Sequence, residues 1–337
     1  MLEDFARYAM DKGGSLHPLI IPAEGTGGLG LMNPSIINDG GIVRVILRQV
    51  NYTLFHAENK IFNHQYGPLQ YIHPENDIHL RTYNWYLELD NNLDITRYNK
   101  IDTSKFDTYE PQWDFVGLED ARIVRWDGDL WISGVRRDTT TNGVGRMELS
   151  KIDVTDSGVK ETERFRIHPP IDKRSYCEKN WMPIADKPWH YIKWSNPTEV
   201  VQVDIDNVVN TDTYSKWVNS KQVSLTDYIP MPHDLRGGSQ VLQIGDYKLA
   251  ITHEVNLFNS EVGRKDGKYY HRFVVWDNNY NIVKYSDMFW ILGGHIEFST
   301  GMCTKDNNLL ITFGFQDNAA YVLCVSLEAV MDFIDGK

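Results

Sequence analysis

Glu119-Asp120-Ala121-Arg122-Ile123-Val124-Arg125-Trp126, then Asp127-Gly128-Asp129, then Leu130-Trp131-Ile132-Ser133-Gly134-Val135-Arg136-Arg137 spells out a hairpin. β-branched and aromatic residues fill both arms, and the Asp-Gly turn supplies residues that accept positive φ. Four other stretches share this form. Asn33–Ile37 turns at Asn38-Asp39-Gly40-Gly41 and returns as Ile42–Arg48. Lys179–Ala185 turns through Asp186-Lys187-Pro188 and returns as Trp189–Ser195. Gly238–Ile244 turns at Gly245-Asp246 and returns as Tyr247–Glu254, and Ser299–Thr304 turns at Lys305-Asp306-Asn307 and returns as Asn308–Gln316. Equivalent places in the five recur at about 60 residues, after a longer first gap of about 88. One blade per repeat follows. The expectation is an all-β, five-bladed β-propeller in a single domain, residues 1–337. The long first gap predicts an insertion in the first blade at about 59–112. Helical periodicity is confined to Leu2–Lys12 and Leu327–Ile334, which predicts short terminal helices.

The 337 residues are 42% hydrophobic and 24% charged, ordinary globular composition. No run of 18 apolar residues predicts a membrane span, and the first residues lack a signal-peptide core, so a cytoplasmic chain is expected. The net charge of −12 argues against broad nucleic-acid binding. Cys177, Cys303 and Cys324 have no metal spacing and read as reduced thiols. No metal or cofactor is expected. Phosphate-loop, dinucleotide, His-Glu-x-x-His and Gly-x-Ser-x-Gly patterns are all absent from the sequence.

In a propeller the innermost strands line the axis and open onto one face. Their heads here are polar or glycine: Asn33, Glu119-Asp120, Lys179-Asn180, Arg236 to Gln240 and Ser299-Thr300. The return strands also end on polar residues: Arg48, Arg136-Arg137, Lys193, His253-Glu254 and Gln316-Asp317. Alone, the acid pair fits a structural salt bridge from Asp120 to Arg122, Lys179 fits a solvated lysine, and each aromatic fits core packing. Matched phase in five repeats favours a shared funnel of carboxylates and cations. A carboxyl there suits acid/base work at a glycosidic bond. Lys179, Arg236, His253 and one arginine of the Arg136-Arg137 pair would hold an anion, and Trp113, Tyr176, Trp181 or Trp194 would stack on a sugar ring.

Gly117-Leu118-Glu119-Asp120-Ala121-Arg122 resembles the Gly-x-Glu-Asp-Pro-Arg signature of the five-bladed mannoside phosphorylases of glycoside hydrolase family 130, related to glycosyltransferase family 108. Lys179-Asn180-Trp181, the Arg236-Gly237-Gly238 to His253 strand pair, and Phe313-Gly314-Phe315-Gln316-Asp317 resemble further family segments, and the likeness spans about residues 30–325. Ala121 stands where the family has proline, and Glu254 follows His253 where glycine is usual, setting a carboxylate beside the anion site. The resemblance implies Asp120 as catalytic acid, with Lys179, Arg236, His253 and Arg137 on phosphate. Glu119, Asn33, Arg48, Asn180, Trp181 and Asp317 would hold substrate. The expected activity is inverting transfer of a hexosyl unit, such as mannosyl, between a hydroxyl acceptor and a sugar 1-phosphate or nucleotide sugar. A glycosidase, a carbohydrate-binding propeller without catalysis, and a sugar transferase acting on modified nucleic acid stay open.

Overall fold

The structure, a computed structural model, describes residues 3–56, 69–72, 76–171, 174–231, 234–259 and 265–337. Among the described residues strands make up 58% and helices 7%, so the class is all-β. Among the described residues the strands fall into five antiparallel sets in chain order. The first runs Leu31–Asp39, Ile42–Val50, Leu80–Leu89, Ile95–Asp102. The second runs Glu119–Trp126, Asp129–Arg136, Arg146–Thr155, Gly158–His168. The third runs Met182–Pro183, His190–Ser195, Thr198–Thr211, Lys216–Leu225.

In the fourth set, Arg236–Gly237 and Leu242–Ile244 both pair with Tyr247–Asn259, which pairs with Lys265–Trp276; Ile282–Tyr285 and Phe289–Trp290 lie beyond. The fifth runs Glu297–Lys305, Asn308–Phe315, Ala319–Ser326, and takes its outer strand, Ser15–Pro18, from the start of the chain. The hairpin turns sit where Asp-Gly and Asn-rich pairs require positive φ, as at Asp127-Gly128 and Asp306-Asn307.

Of the stretch read as an insertion, Leu80–Leu89 and Ile95–Asp102 are strands of the first set. Thr53–His56 and Leu69–Ile72 pair as a separate small hairpin, and residues 57–68 and 73–75 lie outside the described residues. The inner strand of the third set is shorter than expected, Met182–Pro183 alone.

Hydrophobic clusters lie between successive sets. Ile46, Tyr86, Ile123 and Ile132 join first to second, and Trp126, Leu149, Tyr191 and Val201 join second to third. Ile184, Ile192, Val241 and Trp276 join third to fourth, while Ile251, Phe273, Ile311 and Phe313 join fourth to fifth. Ile36, Val45, Leu310 and Val322 join the fifth back to the first. Face-to-face sheet packing of alternating apolar residues builds each cluster.

The N-terminal helix Phe5–Asp11, capped by Asp4, and the C-terminal helix Leu327–Asp335, capped by Ser326, bury Phe5 and Phe333 against each other, ring centroids 4.8 Å apart. Near the middle of the molecule, the fully buried Gln240 gives its amide nitrogen to Ser35 Oγ, Ile36 O and Ile123 O, and its oxygen accepts from Met302 N. Four sets are thus pinned by one side chain. Among the described residues no helix is long and apolar enough to cross a membrane, and all three cysteines are unpaired.

Candidate active site

A left-handed, non-glycine residue lies at or just before the head of three inner strands: Asn33 (φ +46°), Asp120 (φ +50°) and Asn180 (φ +60°). Asn and Asp tolerate this region better than other side chains. At the first two, the strand register slips, between Met32 and Ser35 and between Glu119 and Arg122. Such bulges re-aim side chains that would otherwise alternate across the sheet. They turn Asn33 and Asp120 toward each other, and Asn33 Nδ2 donates to Asp120 Oδ1 at 2.8 Å. Gly314 lets this happen, because a Cβ there would sit 2.1 Å from Asn33 Oδ1.

Arg48 completes the corner. It is buried, and its Nη1 donates to the same Asp120 Oδ1 at 2.8 Å. Its Nη2 donates to the Tyr52 hydroxyl and lies 3.6 Å from Glu119 Oε2, while Nε donates to Thr82 Oγ1. Burial would raise the Asp120 pKa, but Arg48, Arg122, Asn33 and Lys179 outweigh it and hold the carboxyl below its ordinary value. Asp120 Oδ2 has no protein hydrogen bond among the described residues and is left for a ligand.

The salt bridge from Asp120 to Arg122, the alternative reading of the acid pair taken alone, does not form among the described residues. Arg122, almost fully buried, donates to the backbone carbonyls of Asp120 and Gly238 and to Asn180 Oδ1, and lies over the Phe298 ring. It braces the second set against the third, fourth and fifth.

One cavity of about 520 Å³ gathers these groups. Asn33 and Arg48 come from the first set, Glu119 and Asp120 from the second, Lys179 and Asn180 from the head of the third. Arg236 and His253 come from the fourth, and Asp317 from the fifth. Burial raises the Glu119 pKa, Asp120 adds to the rise, and Arg48 opposes it. Burial also pushes Asp317 up to about 6, against the pull of Arg48 and with the help of Asp120 and Glu119. Asn33 Oδ1 and Glu119 Oε1 are buried with no hydrogen-bond partner. Two orphan acceptors in a cavity ask for donors, the chemistry of a hydroxyl-rich ligand.

The cationic side is formed by Lys179 and Arg236, both exposed and without an ion-pair partner among the described residues. His253 differs from expectation. It is buried, its Nδ1 faces the Gly237 carbonyl at 3.0 Å, and its ring meets Phe298 edge-on. Burial, with the charges of His271, Arg236, Arg122 and Lys179, drives its pKa well down. A carbonyl only accepts, so Nδ1 carries the proton and Nε2 is left as a lone pair. His253 thus lines the cavity beside Lys179 and Arg236 as a neutral imidazole.

Two residues expected at the site are not brought to it. Trp181 is buried in the cluster between the second and third sets, with Nε1 donating to Glu178 Oε2. Asn180 beside it lines the cavity, and its left-handed backbone turns the chain so that the next side chain, the indole, enters the core. Arg137 does not line the cavity. It donates to Gly143 O and the Tyr176 hydroxyl and packs over Phe115. Of the remaining aromatic candidates, Trp113 packs against Gly143, and Trp194 and Tyr176 are exposed.

The aromatic walls are instead Tyr52, Phe115, Tyr269 and Phe298. Tyr269, with its hydroxyl pKa pushed up to about 12 chiefly by burial, pairs with Val255 across the hairpin. The alternation His253, Val255, Leu257 on that strand is the signal that would have found this wall. Alternation also keeps Glu254 out of the cavity, contrary to the sequence expectation of a carboxylate beside the anion site. Glu254 points to the opposite face, buried, and forms an ion pair with Arg272.

No family model and no curated protein matches the sequence. Solved structures do match in fold. A β-1,2-mannobiose phosphorylase from Listeria innocua, in complex with β-1,2-mannobiose, superposes with a TM-score of 0.55 at 12% identity, covering 96% of this chain and 97% of that one. MPT-4, a mannose phosphorylase from Leishmania mexicana in complex with phosphate, gives 0.52 at 11%, covering 97% and 93%. A structure described under the GH130 mannoside phosphorylases that contain hydrolases targeting β-1,2 mannosidic linkages in Candida mannan gives 0.55 at 13%, covering 94% of each chain. The chain shares the fold of this group over nearly its whole length.

Proposed function

We propose that this chain is an inverting glycoside phosphorylase built on a five-bladed β-propeller, moving a hexosyl unit between a glycan hydroxyl and inorganic phosphate. The five antiparallel sets are the blades, and Ser15–Pro18 closes the last of them. The cluster joining the fifth set to the first supports a closed ring.

One observation carries the activity. A single cavity holds an ionised carboxylate with a free oxygen, orphan acceptors suited to hydroxyls, and two cations with no protein counter-charge among the described residues. Lys179 and Arg236 together match one phosphate group. His253 Nε2 would accept from a phosphate O–H, so a monoprotonated phosphate fits this trio.

In phosphorolysis a phosphate oxygen attacks C1 of the sugar as the bond from C1 to the glycosidic oxygen breaks. The leaving oxygen takes a proton from Asp120, which is ionised at rest and is first protonated at the expense of the monoprotonated phosphate, so the phosphate proton ends on the leaving hydroxyl. One displacement from the opposite face inverts C1. In synthesis the same steps run backward, and Asp120 accepts the proton of the acceptor hydroxyl. Arg48 keeps Asp120 ionised in the unliganded protein, which is the state synthesis starts from. Tyr269 and Phe298 offer ring faces to the sugar, and Asn33, Glu119, Asn180 and Asp317 offer acceptors to its hydroxyls. A cytoplasmic setting suits the three unpaired thiols.

The test is phosphate release from mannose 1-phosphate in the presence of mannose and manno-oligosaccharide acceptors, run beside a panel of hexose 1-phosphates and nucleotide sugars. Release from a sugar 1-phosphate supports the reading. Transfer from a nucleotide sugar alone, or sugar binding with no phosphate-dependent thermal shift, overturns it.

A further inference from the structure

A second cavity, larger than the first at about 670 Å³, lies between the first and second sets. That volume is within the range of about 300–1,000 Å³ common for small-ligand sites. Its walls share only a partition with the first cavity. Phe115, Glu119 and Asp120 line the first, and Val116, Gly117 and Leu118 line the second.

Two buried side chains hold this partition from the second cavity's side. Asp138 Oδ2 accepts from Gly117 N at 3.1 Å, and Asn84 Nδ2 donates to Leu118 O at 2.9 Å. Each has another oxygen, Asp138 Oδ1 and Asn84 Oδ1, that is buried with no hydrogen-bond partner. Asp138 is 1% exposed and Asn84 9%. Unpaired buried acceptors are costly, and a pair lining one cavity marks a place where donors belong. The charges say which donors. Carboxylates outnumber cations on these walls, five to three, and the buried Arg136 is already held by Glu148 and Asp138. An anion would be repelled, while hydroxyl groups would be accepted. Ile101, Leu118 and Ile132 supply an apolar surface for C–H faces.

We infer that this cavity is a second binding site for an uncharged, hydroxyl-rich ligand, of the size of one or two sugar rings. Asn84 Oδ1 and Asp138 Oδ1 are closed off from the cavity in this structure, and the ligand draws them round to accept its hydroxyl protons. Because the same two side chains fix Gly117 and Leu118, occupancy bears on the segment that presents Glu119 and Asp120. The inference stands apart from the phosphorylase reading and survives its failure.

Crystals of the full chain soaked in mannose, glucose or β-1,2-mannobiose test it, together with calorimetric titration of the same sugars into wild type and Ser104→Trp. Ser104 is exposed, lines only the second cavity and touches nothing of the first, so the variant should fold and block this site alone. The expected result is sugar bonded to Asn84 and Asp138 in the crystal, and at least a tenfold loss of one binding event in Ser104→Trp with the other unchanged. Water alone in the second cavity at saturating sugar overturns the inference. So does sugar seen in the crystal without any binding in solution sensitive to Ser104→Trp. Loss of sugar binding in the first cavity alone would count against the phosphorylase reading and leave this one intact.

Discussion

Arg48 and Asp120, 72 residues apart in sequence, meet at 2.8 Å through Nη1 and Oδ1. This contact fixes both the ionisation of the carboxylate and which oxygen is free. Removing the carboxylate should therefore remove turnover without removing the fold. Asp120→Asn keeps a side chain that tolerates φ of +50° and can still accept from Arg48. Activity should fall by about 10²–10⁴-fold, the range for a lost general acid/base. Parallel assays of phosphorolysis and synthesis should fall together while the circular dichroism melt stays near wild type. Full activity in this variant would sink the assignment.

Lys179 and Arg236 are exposed and have no ion-pair partner among the described residues, so neither is expected to hold the fold. Lys179→Ala and Arg236→Ala should each raise the KM for phosphate, by about tenfold or more for a lost charge-assisted contact, and change stability by no more than about 0.5 kcal/mol. Initial rates at varied phosphate check this. A fall in kcat with phosphate KM unchanged would place the anion elsewhere.

Glu254 should behave in the opposite way. It sits across the strand from His253 in a buried pair with Arg272. Glu254→Ala leaves a buried arginine without its partner and should cost about 3 kcal/mol or more of stability. The KM for phosphate should not move. Denaturant melts and phosphate kinetics on one preparation separate the two effects.

The pH dependence of stability should carry the mark of Asp317. Its folded pKa, about 6, lies above the ordinary value of 3.8, so the folded state binds more protons between those values. Stability should then fall as pH rises from about 4 through about 6. Asp317→Asn should flatten that slope in Tm measured against pH. His253 acts with the opposite sign: burial keeps it neutral in the folded state, so it gains a proton only on unfolding, and its contribution to stability should rise with pH up to about the ordinary imidazole value of 6.5 and flatten above it. That rise should vanish in His253→Gln, and its persistence there would assign it to another group.

Gly117 tests the partition between the cavities. It has φ +100°, and a Cβ would meet the Thr82 carbonyl oxygen at 2.4 Å. Gly117→Ala should cost roughly 1–3 kcal/mol from the backbone conformation alone, and it should lower kcat by displacing Glu119 and Asp120. Melting temperature and steady-state kinetics report both.

The inner hairpins are legible in the sequence because turn chemistry is local. Asp127-Gly128 and Asp306-Asn307 each need positive φ, and their side chains advertise it. The polar heads of the inner strands are legible for the same reason, and most of the residues they nominate line one cavity. What hides is whatever depends on sheet face or register. Trp181 reads as a sugar platform because it adjoins Asn180, yet the left-handed backbone at Asn180 turns the indole into the core. Arg136 and Arg137 read as equals, but one enters a buried ion pair with Glu148 and the other binds Gly143 and Tyr176. Tyr269 and Phe298 carry no motif, and only the register Val255 to Tyr269 brings the tyrosine to the wall. The outer strands Leu80–Leu89 and Ile95–Asp102 look like inserted sequence because the hairpin at 53–72 interrupts the repeat before them.

The clasp between Ser15–Pro18 and Tyr321–Cys324 bears on the order in which the protein matures during translation. A ribosome emits the chain from its first residue, so the strand at 15–18 waits through some three hundred residues for its partner. The first four sheets can pair as they emerge, whereas this join closes one very long loop, with the slow kinetics of non-local contacts. Asp317 stands just before the strand that makes the join. That carboxylate and the clasp therefore arrive together, after the first four sheets have emerged. A nascent chain stalled short of residue 317 has no complete cavity, and turnover in a translation extract counts only finished molecules.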